Sequence, residues 1–145
     1  MKKNPSHRSE YNHFILLGTR WNDNDIYGHM NNVIYYELFD TAVNKWLLTN
    51  DLLNIQNGKN IGLIVKSGCD FFSSFAYPED IDAGIRVTKI GTSSVSYEVG
   101  LFRKNQQLSS ADGFFIHVYV DRETNKPLPL DYTFKKALDT LLIEL

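Results

Sequence analysis

The spacing of apolar residues predicts one long helix in the first third of the chain. Between residues 32 and 48, apolar side chains return every three or four positions, which is the period of an α-helix. The apolar positions include Tyr35, Phe39, Ala42, Val43 and Trp46, and a narrow polar stripe contains Glu37, Asp40, Thr41 and Asn44. A helix with apolar side chains around most of its circumference has to be enclosed by the rest of the protein.

The other apolar segments follow the pattern of β-strands. They are rich in β-branched and aromatic side chains, are separated by turn-forming residues, and cover residues 13–21, 61–72, 81–90, 94–103 and 108–121. A short helix is predicted after residue 131. This order is α+β, and we expect a long antiparallel sheet wrapped around one central apolar helix. We expect residues 1–10 to be a flexible N-terminus and residues 11–145 to form a single domain.

Composition narrows the class of protein. The 145-residue chain has a net charge of −2 and no long basic run, which argues against a general nucleic-acid-binding protein. Its single cysteine, Cys69, cannot form a disulfide within the chain. The opening residues MKKNPSHRSE are followed by no apolar segment, and no apolar run approaches the ~18 residues of a membrane helix. We therefore expect a cytoplasmic protein whose partners include neither nucleic acid nor a membrane.

The candidate chemistry lies in the polar segment RWNDNDIYGHMNN, directly before the predicted helix. Asp25 falls in the loop that leads into the helix, and Gly28 permits a tight turn there. Asn31 or Asn32 is a suitable N-cap, and free N–H groups at the helix start can stabilise an oxyanion. A carboxylate beside such a site suits acyl transfer. Asp and Asn also precede helices simply because they cap them, so spacing alone leaves both interpretations open.

The segment DNDIYGHMNNVIYYELFD resembles the hotdog-fold thioesterases of the 4-hydroxybenzoyl-CoA thioesterase family. Their signature, Asp-x-Asp-x-x-Gly-His-x-Asn-Asn-x-x-Tyr before a long central helix, is matched by Asp23, Asp25, Gly28, His29, Asn31, Asn32 and Tyr35. Later segments resemble the family's strands and closing loop in the same order, so the resemblance covers nearly the whole chain.

The resemblance implies a hydrolase of acyl-CoA thioesters that assembles as a homodimer or a dimer of dimers, with sheets joined edge to edge. It implies that Asp25 is the general base or nucleophile and that the N–H near Asn32 polarises the thioester carbonyl. His29 would support the loop or the leaving group. Gly28, Asn31 and Tyr27 would contact substrate; Tyr27 occupies the place of an asparagine in the similar plant acyl-carrier-protein thioesterases. No metal or redox cofactor is implied, since coenzyme A is part of the substrate.

Several residues outside this segment have open roles. Lys89 and Arg86 are candidates for contacts with the CoA phosphates, although ordinary surface charge explains them equally well. Counting by twos places Leu63, Val65, Ser67, Cys69 and Phe71 on one face of a strand, with Cys69 as a core residue. His117 is expected at a sheet surface or a subunit contact, without a chemical role. Asp23 is expected to orient the loop by accepting backbone hydrogen bonds.

Two other functions remain alternatives. The first is a non-catalytic or regulatory protein that binds acyl-CoA on the same scaffold without turnover. The second is a dehydratase or hydratase of the same fold, although the histidine signature of those enzymes is not visible in the sequence. Because one fold can carry many functions, the distinction depends on the site.

Overall fold

The structure, a computed structural model that describes residues 3–143, contains the helices and strands that the apolar pattern predicts. The strands are β1 (His13–Leu17), β2 (Asn60–Phe71), β3 (Ile81–Ile90), β4 (Ser94–Arg103) and β5 (Ala111–Asp121). The helices are α1 (Asn32–Thr49) and α2 (Tyr132–Asp139), and short 3-10 turns cover Arg8–Glu10 and Trp21–Asp23. Within the described residues these strands form one antiparallel sheet in the order β1-β3-β4-β5-β2. None of the helices within residues 3–143 has the length and apolar character that crossing a membrane requires.

The sheet curves around α1 and buries most of its apolar residues. The buried residues of the helix are Tyr35, Leu38, Phe39, Ala42, Val43, Trp46 and Leu47. A close contact lies at Gly113 of β5, where an added Cβ would lie 2.4 Å from the Phe39 ring. Because Gly113 has no side chain, the fully buried Phe39 rests directly on the sheet.

The edge strand β2 contains a β-bulge that changes which residues share a face. Its register against β5 shifts between Ile64 and Lys66. Cys69 pairs with Gly113 and therefore lies on the helix side, whereas Leu63 pairs with Val118 and lies on the opposite side. The strict alternation predicted from the sequence, which puts Leu63 and Cys69 on the same face of the strand, is therefore wrong across the bulge.

The N-terminal segment, for which we expect flexibility, makes specific contacts with the sheet. Ser6 is buried, and its backbone N–H and hydroxyl donate to the two carboxylate oxygens of buried Asp112, at 3.0 and 2.7 Å. Arg8 forms an ion pair with Asp82 at 2.9 Å. The segment is held in place because a buried carboxylate needs hydrogen-bond donors. Met1 and Lys2, and residues 144–145 of the expected domain, lie outside the described residues.

His117 is a core residue, not a surface residue as we expected. Its side chain is 4% exposed, and neither ring nitrogen has a hydrogen-bond partner within the described residues. Burial lowers the pKa of the imidazole, and the charge of Asp40 opposes this only in part. The ring packs among aromatic side chains, with its centroid 5.1 Å from that of Tyr97.

Replacing Gly113 by alanine tests the contact between helix and sheet. We expect Gly113→Ala to lower the free energy of unfolding by about 1–3 kcal/mol, because the added methyl group overlaps the Phe39 ring. Gly18→Ala is the matched control: nothing lies within 4 Å of a Cβ at Gly18, so its effect should stay within about 0.5 kcal/mol. Urea denaturation measures both. Equal stability of the two variants would contradict a rigid contact between Phe39 and β5.

Stability at mildly acidic pH tests the environment of His117. The pKa of His117 in the folded protein lies below the unfolded value of ~6.5, so below that pH the unfolded chain binds a proton that the folded chain rejects. The stability present above about pH 6.5 is therefore lost as the pH falls through this window. We expect the unfolding free energy of the wild type to fall more steeply from pH 7.5 to 5.5 than that of His117→Phe. Parallel curves would mean that His117 titrates normally.

Candidate active site

Asp23 fixes both ends of the polar loop. The residue is 1% exposed, and its carboxylate accepts hydrogen bonds from the backbone N–H of Arg20 at 2.7 Å and from the Arg20 guanidinium at 2.9 and 3.1 Å. Its carbonyl oxygen accepts the N–H of Asn31 at 2.8 Å. Asp23 thus orients the loop by hydrogen bonding, in the way that its position in the sequence predicts.

Between these ends, the loop folds into a tight turn around Asp25. The Asp25 N–H donates to the carbonyl of His29 at 2.7 Å, and Gly28 has a φ of +79°, a conformation that suits glycine. One carboxylate oxygen of Asp25, Oδ1, accepts the N–H groups of Tyr27 at 2.8 Å and His29 at 3.3 Å. In the described part of the chain the other oxygen, Oδ2, accepts no hydrogen bond. The turn therefore orients the carboxylate and leaves one oxygen available.

The start of α1 supplies an unpaired donor next to this turn. Asn31 is the N-cap: its side-chain oxygen accepts the N–H of Val33 at 3.0 Å, and its carbonyl accepts the N–H of Ile34 at 2.9 Å. The N–H of Asn32 has no acceptor among residues 3–143. Such free groups, together with the helix dipole, favour negative charge at this position.

One cleft of about 430 Å³ brings these groups together. Its walls include five residues of the motif, namely Asp25, His29, Asn31, Asn32 and Tyr35. The remaining lining residues are Met30, Phe71, Phe72, Ser73 and Ser74. His29 is exposed at the rim. A carboxylate and a helix N-terminus that face one cleft can activate a nucleophile and stabilise an oxyanion at the same carbonyl group.

Phe75 connects the loop to the segment after β2. Its carbonyl accepts the Met30 N–H at 2.8 Å, and its N–H donates to the Tyr35 hydroxyl at 3.1 Å. Tyr35 is buried, as expected, and burial raises the pKa of its hydroxyl. Sequence reasoning missed the aromatic and serine residues of this segment, because their closeness to the loop depends on tertiary packing. The only signal was Tyr35, which lies in the motif.

Other predicted contacts lie outside the cleft. The Tyr27 side chain is 79% exposed, and Gly28 shapes the turn without lining the cleft. Lys89 lines a different cavity, next to α2. The Arg86 guanidinium is buried, donates to Glu98 at 2.6 and 2.9 Å, and lies 4.6 Å from the centre of the Tyr11 ring. Because these groups satisfy Arg86, we leave it out of the proposed site.

Cys69 is half-buried on the helix side of β2, and desolvation raises the pKa of its thiol to about 12. A thiol that stays protonated at neutral pH is a poor nucleophile, which agrees with the packing role predicted for it. Within residues 3–143 no three His, Cys, Asp or Glu side chains come together in a group that could hold a metal ion.

The model of one protein family, the thioesterase-like superfamily, matches residues 19–138. The matched span begins just before the polar loop and ends within α2. None of the curated proteins compared with the chain matches it.

Solved structures share the fold. The PA5185 protein from Pseudomonas aeruginosa strain PAO1 is 46% identical over 97% of each chain, with a TM-score of 0.92. The PA2801 protein from Pseudomonas aeruginosa is 22% identical over 88% of this chain and 98% of its own, with a TM-score of 0.82. A 1,4-dihydroxy-2-naphthoyl-CoA thioesterase from Synechocystis is 17% identical over 87% of this chain and 94% of its own, with a TM-score of 0.78. The last two likenesses concern the fold alone, and together with the family match they confirm the predicted α+β hotdog architecture.

Proposed function

Because the chain belongs to the thioesterase-like superfamily, we propose that it hydrolyses acyl-CoA thioesters in the cleft between Asp25 and the start of α1. The observation that carries this proposal is the pairing of two groups in one cleft: a carboxylate with a free oxygen and a helix start with an unpaired N–H. A closer kinship with the 4-hydroxybenzoyl-CoA thioesterases, which the motif suggests, is part of the proposal.

In the proposed reaction the thioester carbonyl oxygen accepts the N–H of Asn32. Oδ2 of Asp25 either removes a proton from the attacking water or attacks the carbonyl carbon itself. The oxyanion of the tetrahedral intermediate is stabilised by the helix start, and its collapse breaks the C–S bond. In the general-base route the proton that Asp25 removed from water passes to the departing CoA thiolate, and the free acid is left. In the nucleophilic route loss of the thiolate leaves an acyl anhydride on Asp25; water then cleaves this anhydride, releases the free acid and restores the carboxylate, and a proton from that water passes to the thiolate. A metal or redox cofactor is unnecessary in this reaction because a thioester is already an activated acyl group.

The remaining residues have supporting roles in this proposal. His29, at the rim of the cleft, is placed to support the turn or the departing thiol. Gly28 and Asn31 shape the approach to the carbonyl, and the exposed ring of Tyr27 offers a surface for substrate. Lys89 is exposed and free to meet a phosphate of CoA. We place the enzyme in the cytoplasm, where its one thiol would remain reduced.

Replacement of Asp25 tests the activity. With short, medium, long and aromatic acyl-CoAs, we expect Asp25→Asn to lower kcat by about 100- to 10,000-fold, because asparagine keeps the shape but loses the base. Asp80→Asn, which removes an exposed carboxylate before β3, is the control and should retain activity. A thiol reagent measures CoA release, and circular dichroism checks the fold.

Each other result of this experiment has a clear meaning. Full activity of Asp25→Asn would place the base elsewhere. A wild type that binds acyl-CoA without releasing thiol would indicate the non-catalytic binding protein instead.

We further propose that two copies join along β2. The outer edge of this strand pairs with no other strand within residues 3–143. Large apolar side chains on it are exposed, namely Leu63, Ile64, Val65 and Phe71, by 41–60%. A long apolar strand edge that is unpaired in a monomer promotes aggregation. Pairing with the same edge of a second copy would bury these side chains and satisfy the free backbone groups. Whether such dimers pair again into a tetramer stays open.

A charge in the middle of this edge tests the dimer. We expect the wild type to be at least dimeric by light scattering and Val65→Asp to shift it towards the monomer, because an unpaired carboxylate would be buried at the contact. Ile55→Asp, at another exposed apolar residue outside β2, is the control and should leave the mass unchanged. A monomeric wild type would contradict the proposed pairing.

A further inference from the structure

A second cavity, of about 560 Å³, lies between the C-terminal half of α1 and the N-terminal half of β2. None of the residues that line it belongs to the Asp25 cleft. Its apolar walls come from Leu47, Leu52, Leu53, Ile61, Ile64 and Phe134. A space of this size and lining suits an apolar group of a small molecule.

The imidazole of His117 faces this cavity with no hydrogen bonds. The side chain is 96% buried, being 4% exposed, and both ring nitrogens lack partners within the described residues. Gly62 keeps the ring accessible, since a Cβ at that position would lie 3.1 Å from Nδ1 of His117. Buried polar atoms in proteins nearly always have partners, so an unpaired ring beside a cavity indicates that a ligand supplies one.

The polar groups around the cavity restrict the chemistry of that ligand. The lining of the cavity contains one cationic side chain, Lys59, and three carboxylates, Asp40, Asp51 and Asp131. This excess of negative charge disfavours an anionic group on the ligand. One carboxylate oxygen of Asp40 already accepts a hydrogen bond from the side-chain amide of Asn44, at 3.1 Å. A neutral imidazole offers one donor and one acceptor, and a hydroxyl is the smallest neutral group of an acyl chain that can both donate and accept.

We infer that this cavity holds the acyl group of the thioester and that His117 determines specificity by hydrogen bonding to a hydroxyl on that group. The substrate class is therefore an apolar acyl-CoA, aliphatic or aromatic, that carries a hydroxyl away from the thioester. This inference rests on the proposed hydrolysis at Asp25 and on the proposed pairing of β2 edges.

Pairing of two copies along β2 would bring the Asp25 cleft of one copy next to the His117 cavity of the other. β2 runs from the second cavity, at Gly62 and Ile64, to the Asp25 cleft, at Phe71. If two copies pair along this edge with their helices on the same side of a continuous sheet, the two-fold axis makes the two strands antiparallel. The cavity end of one strand then lies beside the cleft end of the other. Each cleft would receive the thioester while the cavity of the second copy receives the acyl group.

Matched substrates test the role of His117. The pairs are 8-hydroxyoctanoyl-CoA with octanoyl-CoA and 4-hydroxyphenylacetyl-CoA with phenylacetyl-CoA. We expect the wild type to favour the hydroxylated member of at least one pair by about 10-fold or more in kcat/KM, because His117 is otherwise left unpaired. His117→Phe should bring that ratio close to 1, and His117→Gln, which keeps a donor and an acceptor, should restore part of it. His13→Phe, on the exposed side of β1, should keep the wild-type ratio.

A binding measurement separates this inference from the proposed hydrolysis. The Asp25→Asn protein is labelled with ¹⁵N at histidine and titrated with the same pairs, and the ring nitrogens of His117 are followed by NMR. We expect a change in their shifts with a hydroxylated ester and none with its partner.

If the protein hydrolyses no ester but this change occurs, the hydrolysis proposal fails and the cavity assignment stands. Equal hydrolysis within both pairs, unaffected by His117→Phe and without a shift change, would overturn the inference and leave the hydrolysis proposal intact.

Discussion

The enclosure of α1 by the sheet is the constraint on which the rest of the structure depends. Its apolar residues can avoid water only against the curved sheet, and the contact of Phe39 with Gly113 sets how closely it approaches. Because the helix is fixed along its length, its first turn has a defined place at the rim of the sheet. The Asp25 loop is then closed onto that turn by Asp23 and Phe75, so the geometry of the cleft follows from the packing of the core.

The parts of the molecule that sequence could predict are those governed by local forces. The period of α1, its cap at Asn31 and the turn at Gly28 depend on neighbours within a few residues, so their signals are visible in the chain. The turn that holds the Asp25 carboxylate is local in the same way, whereas the role proposed for Asp25 comes from the motif.

The features that sequence could not predict depend on distant partners. The bulge in β2 appears only when β5 is beside it, and the burial of Arg86 depends on Glu98 in the neighbouring strand. The burial of Ser6 depends on hydrogen bonds to Ser109 and Asp112, which follow it by 103 and 106 residues. In the sequence His117 fits the alternation of an ordinary strand residue. Its missing hydrogen bonds and its position beside a cavity are apparent only in the folded structure.

The position of β5 between β4 and the edge strand β2 has a consequence for the order in which the protein can fold during synthesis. β5 pairs with β2 and β4, carries the contact for Phe39, and provides Asp112 to Ser6, 106 residues earlier in the chain. While the ribosome is still making residues before 111, β2 has no strand to pair with and Ser6 lacks the carboxylate of Asp112. The contact of Phe39 with Gly113 likewise forms only after most of the protein has been made, and such non-local closure is typical of slow folding. Molecular chaperones that shield unpaired apolar strands would act during that interval.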